Sequence, residues 1–62
     1  MFVWVYQYEV PEEGKPVPHT SYRTPESIEK RGGVLIRKSG KHVPAYEVDA
    51  SGLWKPDRNP VT

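Results

Sequence analysis

Residues 2–10, Phe-Val-Trp-Val-Tyr-Gln-Tyr-Glu-Val, hold four of the chain's seven aromatic side chains, all at even positions. A β-strand points alternate side chains to opposite faces. The run therefore predicts a strand with one wholly aromatic face: Phe2, Trp4, Tyr6 and Tyr8. The other face, Val3, Val5, Gln7 and Glu9, starts apolar and ends polar. Because the strand is apolar on both faces at its start, it is expected at the centre of a sheet. Trp4 and Tyr6 are expected inside, Phe2 at a fraying end and Tyr8 towards the surface.

The rest of the chain has little with which to cover such a face. At 62 residues it is one domain, and a chain this short buries only roughly 60% of its unfolded surface. No cysteine is present to staple it, and two histidines are too few for an ordinary zinc site without carboxylates. Stability must come from dense aromatic packing, from self-association, or from a partner chain. The formal net charge of +1 gives no overall field towards nucleic acid or membrane. There is no apolar run of 18 residues to span a bilayer. The N-terminal stretch has no basic region ahead of it and reads as a strand rather than a signal peptide. The expected location is cytoplasmic.

Pro11 should close the first strand, since proline donates no ladder hydrogen bond. Residues 11–20 contain three prolines and a glycine and are expected to form an exposed loop. Thr24-Pro25-Glu26-Ser27 is a helix start: a capping hydroxyl, a proline at the first helical position, and an acid in the first turn. Lys30, Arg31 and Gly32-Gly33 mark its end, so the helix is expected over 25–31, with Ile28 as its one large apolar side chain. Val34–Lys38 and Lys41–Val48 read as a β-hairpin turning at Ser39-Gly40, with a bulge near Pro44. Asp49-Ala50-Ser51-Gly52 is a turn by composition, followed by an apolar anchor, Leu53-Trp54. The fold class is α+β: a small sheet of three to four strands in the order β-α-β-β, with one short helix packed on it. The domain is expected to cover 1–54, with an unstructured tail at 55–62. The expected core is Val3, Trp4, Val5, Tyr6, Ile28, Val34, Ile36, Val43, Tyr46, Val48 and Leu53.

Motifs of catalysis are missing. Around Gly40-Lys41 a phosphate loop would need a glycine where Leu35 stands and a hydroxyl residue where His42 stands. Ser39 and His42 are close in sequence, but a hairpin need not bring them together. Glu12 and Glu13 solubilise a loop, and His19 beside them is a weak metal candidate. No enzymatic activity, cofactor or metal is expected. Two binding readings remain. The first is a protein-interaction or accessory module, meeting a homodimer mate or another protein through Tyr6, Tyr8 and Trp54, with Trp4 a further natural anchor, at whatever part of the aromatic stripe is left uncovered. The alternative is a nucleic-acid-binding domain. Lys30, Arg31, Arg37, Lys38 and Lys41 place five cations between residues 30 and 42 with no acid among them. A basic hairpin tip and helix end can contact phosphates, although lysines flanking a turn more often solvate it and guard a sheet edge. The basic-Gly-aromatic signature of RNA-binding sheets is absent.

Overall fold

A computed structural model describes residues 1–56. Strand β1 (Phe2–Glu12) and strand β2 (Lys15–Arg23) form a long antiparallel hairpin. Glu13 and Gly14 close it with positive φ angles of 52° and 79°. A two-residue turn with both centres left-handed matches the twist of the flanking strands. The region expected as a loop, 11–20, is thus mostly strand, and its prolines show why that is allowed. In a two-residue hairpin the residues beside the turn, Glu12 and Lys15, exchange hydrogen bonds, and bonded and non-bonded pairs then alternate. The pairs Pro11↔Pro16 and Glu9↔Pro18 fall at non-bonded positions. Their missing N–H groups would have pointed away from the partner strand. Pro16 and Pro18 also lie on the outer edge of the sheet, where proline discourages further pairing.

Helix α1 (Pro25–Lys30) begins as its sequence dictates: the Thr24 hydroxyl accepts from the Ser27 amide at 3.3 Å and Pro25 occupies the first turn. Strand β3 (Val34–Leu35) follows, then a 3₁₀ turn at Arg37–Ser39, strand β4 (Lys41–Pro44) and a second 3₁₀ turn at Ala45–Glu47. The expected hairpin over 34–48 does not form. Both β3 and β4 pair antiparallel with β1 on the same edge, at Tyr8↔Leu35 and Glu9↔Val34, then at Val5↔Lys41 through Phe2↔Pro44. Together they act as one interrupted strand whose middle, at 36–40, bulges away. Ser39-Gly40 therefore reverses nothing. The Ser39 hydroxyl fills the gap in the ladder, accepting from the Gln7 amide at 2.7 Å, while the Ile36 amide donates to the Gln7 carbonyl at 2.8 Å.

The result is a four-stranded antiparallel sheet with one short helix, a small α+β fold with β1 at its centre. It gains one strand, β2, ahead of the helix. At roughly 3.3 Å per residue β1 is too long to lie across the 20 × 17 Å section, so it runs along the 43 Å axis. Leu53 returns to the sheet through a single bridge to Arg23 at the end of β2, and Trp54 bridges to Val48 beyond β4. The Lys55 amide donates to the Glu47 carbonyl, and the rest of the expected tail, from 57 on, lies outside the described residues.

The core comprises Val5, Tyr8, Ile28 and Val43. Three residues expected in it are on the surface: Trp4 at 52% exposure, Val34 at 66% and Tyr46 at 54%. On the aromatic face of β1 the end residue Phe2 is open as expected, but Trp4 and Tyr8 have exchanged places. Phe2 and Trp4 are exposed, Tyr6 is half-buried and Tyr8 is buried, while on the odd face Val5 is buried and Glu9 only half so. The cause is that the covering elements change sides along β1. Over the second half, α1 covers the even face, and a Cβ at Gly33 would lie 3.2 Å from Ile28 and 3.3 Å from Tyr8. Over the first half, the cover lies on the odd face. There Lys41, opposite Val5, reaches over the Tyr22 and Trp54 rings.

Candidate interaction surface

Uncovered, the even face of the first half of β1 becomes a row of rings. Antiparallel pairing sets His42 of β4 opposite Trp4, and residues directly opposite on one face have their side chains in contact. Trp4 and His42 stack with centroids 4.9 Å apart and planes 21° apart. His42 meets Phe2 at 5.3 Å, and Trp4 meets Tyr6 at 6.4 Å. Four rings, Phe2, His42, Trp4 and Tyr6, thus form one continuous patch. Gly40 seats its inner end: a Cβ there would lie 2.8 Å from Tyr6 Cε2 and 3.5 Å from Trp4 Cε3. Beyond Tyr6 the patch runs into a recess of about 440 Å³ lined by Tyr6, Val34, Leu35 and Arg37.

Of the three residues expected to meet a protein, one is in this patch. Tyr6 belongs to the row. Tyr8 is only 1% exposed, and its hydroxyl accepts a hydrogen bond from Arg23 Nε at 3.1 Å; it is core, because α1 covers it. Burial opposes ionisation of this phenol, but the Ser21 hydroxyl, then Arg23, then the charge of Arg31 outweigh burial and hold it below the ordinary tyrosine range. Trp54 lies on the opposite face of the sheet. It packs edge-on against Tyr22 at 5.2 Å, and its Nε1 donates to Glu47 Oε1 at 3.0 Å.

The five cations, contiguous in sequence, disperse in space. Lys30 and Arg31 border a groove between α1 and residues 48–52. Lys41 lies over Tyr22 and Trp54, 4.9 and 5.3 Å from their centroids, on the face away from His42. Arg37 borders the recess beside Tyr6, and Lys38 is exposed in the adjoining 3₁₀ turn. Only Arg37 and Lys38 are near the aromatic row. The bulge at 36–40 is what separates them from Lys41.

The side chains weighed for chemistry are held in the ladder or in ring stacks, although the buried Nε2 of His19 has no hydrogen-bond partner among the described residues. The Ser39 hydroxyl donates to the Ile36 carbonyl at 2.6 Å and accepts from Gln7. His42 lies in the ring row. His19 stacks on Tyr8 at 4.9 Å, with its Nε2 3.9 Å from Glu12. Among the described residues no three or more metal-ligating side chains cluster, and no helix is long and apolar enough to cross a membrane.

The uncovered part of the aromatic stripe is where the sequence points for a contact, but His42 is new to it, and its open end is Phe2 and Trp4 instead of Tyr8. A signal was present: Trp4 on β1 and His42 on β4 are brought opposite each other once both segments are read as neighbours in one sheet, and the short helix had one large apolar residue with which to cover four rings. No family model, curated protein or solved structure matches this chain.

Proposed function

We propose that this chain is a non-catalytic protein-interaction module whose contact surface is the ring row of Phe2, His42, Trp4 and Tyr6. The observation that carries the reading is the exposure of two large apolar side chains, Phe2 at 59% and Trp4 at 52%, inside one continuous patch. Contiguous exposed apolar surface is what partners bury, and aromatic anchors dominate interface energetics. The non-catalytic part rests on Ser39, His19 and His42 each being engaged in the ladder or in ring stacks.

The nucleic-acid reading has weaker support. Base stacking needs open ring faces and a cationic track beside them. In the row, Trp4 lies against both His42 and Tyr6, so its faces are partly taken. The cations that would follow a phosphate backbone are distributed over separate surfaces.

Sedimentation of the parent and of Trp4→Ser across a wide concentration range, with capture from cell extract on each immobilised protein, tests the proposal. The expected result is an association that the parent makes, with itself or with a captured protein that rebinds when purified, and that Trp4→Ser loses. A strictly monomeric parent that captures nothing in a Trp4-dependent way would overturn it. A single-stranded oligonucleotide run in parallel, binding the parent with steep salt dependence, would transfer the row to the nucleic-acid reading.

A further inference from the structure

A second concavity begins at Arg23, the cross-strand partner of Tyr6. It occupies about 470 Å³ between α1 and the turn at 48–52, and Arg23, Lys30 and Arg31 line it. We infer that this groove binds a phosphate group, either free or as a phosphomonoester, between the Arg23 and Arg31 guanidiniums and the Lys30 ammonium.

Arg23 carries most of the argument. It is half-buried at the end of β2, where its Nε donates to Tyr8 Oη, and its Nη1 to Ser27 Oγ at 3.1 Å and to the Ser51 carbonyl at 3.4 Å. All three acceptors are neutral. Its Nη2 has no acceptor among the described residues. A partly desolvated cation is ordinarily compensated by an anion, yet no carboxylate lies within ion-pair distance of Arg23, Lys30 or Arg31 among the described residues. Arg31 is close enough to the same centre that its charge favours ionisation of Tyr8. Three cations without a direct ion pair therefore line one concave space, and guanidinium forks suit phosphate oxygens in particular.

The walls are suitably made. Gly52 is buried at φ 86°, and a Cβ on it would lie 2.5 Å from Ser27 Cβ and 2.7 Å from Thr24 Oγ1. The turn is thus closely seated on the start of α1, and the Thr24 amide donates to the Gly52 carbonyl. Two acids also line the groove, Asp49 and Glu26. The Asp49 Oδ1 is drawn into its own turn, accepting from the Ser51 amide, the Ser51 hydroxyl and the Leu53 amide at 2.9, 2.6 and 3.1 Å. Glu26 is exposed on α1 and opposes an incoming anion.

The test is an amide-resolved NMR titration of the full chain at constant ionic strength, with inorganic phosphate, phenyl phosphate and chloride as probes. Saturable shifts are expected at Ser27, Arg31, Ser51 and Gly52 with the phosphates and not with chloride. Tighter binding of phenyl phosphate identifies an organic phosphate as the ligand; equal binding identifies the free ion. Arg31→Gln should weaken binding about tenfold or more, as loss of one charge-assisted contact implies, and Glu26→Gln should strengthen it. Arg31 and Glu26 are exposed, so neither variant removes a buried contact, and Lys15→Gln, far away beside the hairpin turn, serves as the control for general charge. The inference is overturned by shifts that fail to saturate below about 50 mM. It is equally overturned by identical behaviour with chloride, or by an Arg31→Gln protein that binds like the parent.

Discussion

Replacing Trp4 by alanine should cost far less than its size suggests. A fully buried aromatic removes roughly 150–250 Å² from water. Trp4 is 52% exposed, so about 100 Å² is at stake, or about 2.5 kcal/mol at 25 cal/mol per Å². Water already reaches the ring, so no cavity is left behind. The rotamer freedom released by truncation returns up to about 1 kcal/mol, which leaves a net loss of about 1–2 kcal/mol. Tyr8, two positions on along the same face, is 1% exposed. Tyr8→Ala opens a cavity and should cost about 3–5 kcal/mol, and it also leaves Arg23 Nε without its acceptor. A 62-residue domain has only about 3–9 kcal/mol to lose. Urea unfolding followed by far-ultraviolet circular dichroism measures both variants. The expectation is a Trp4→Ala protein that still unfolds cooperatively and a Tyr8→Ala protein that is largely unfolded without denaturant. If Trp4→Ala loses as much as Tyr8→Ala, the change of covering face along β1 is refuted, and with it the exposed row.

Gly40→Ala should disturb the row without backbone strain, since φ at Gly40 is −55°. The added methyl meets Tyr6 at 2.8 Å, so a loss of about 1–3 kcal/mol and shifted Tyr6 and Trp4 ring signals in proton NMR are expected; an unchanged spectrum would contradict the packing. Glu13 adopts φ 52°, which asparagine tolerates better, so Glu13→Asn should raise stability by about 0.5–1 kcal/mol in the same urea assay. The Ser51 hydroxyl, then the Leu53 amide, hold the Asp49 carboxyl down at about 2 from its usual 3.8. Because the folded value is depressed, the stability this group contributes is complete above 3.8 and is lost as pH falls towards 2. Asp49→Asn should therefore flatten the acid limb of a stability-versus-pH curve across that window; an unaltered limb would exclude Asp49 as its source.

The local signals were legible in the sequence wherever one residue type suffices to fix a conformation. Thr24 and Pro25 start α1, and Ile28 turns inward from it. Phe2–Val10 is strand, and its central place follows from its apolar start. What could not be read locally was pairing. Pro11, Pro16 and Pro18 suggested a loop because the rule against proline in strands holds only for positions whose N–H enters the ladder, and that parity is set by the Glu13-Gly14 turn. Ser39-Gly40 looked like a hairpin turn because β3 and β4 are equally suited to pair with each other or with β1. The long β1 edge won, and Ser39, at the end of a 3₁₀ turn, became a ladder substitute instead of the reversal of a hairpin. The same pairing decided the site. His42 has no distinguishing feature in sequence and becomes a member of the ring row only because β4 sets it opposite Trp4. Lys41, one residue earlier, is carried to the other face for the same reason.

The claim that the ring row is the contact surface is tested most directly by site-specific photo-crosslinking. A benzophenone side chain placed at Phe2, in the row, is compared with one placed at Glu29, exposed on α1. Irradiation in cells expressing the protein should yield discrete higher-mass protein adducts from position 2, identified by mass spectrometry, and none of the same species from position 29. The absence of any adduct at position 2, or the same adducts from both positions, would contradict the account.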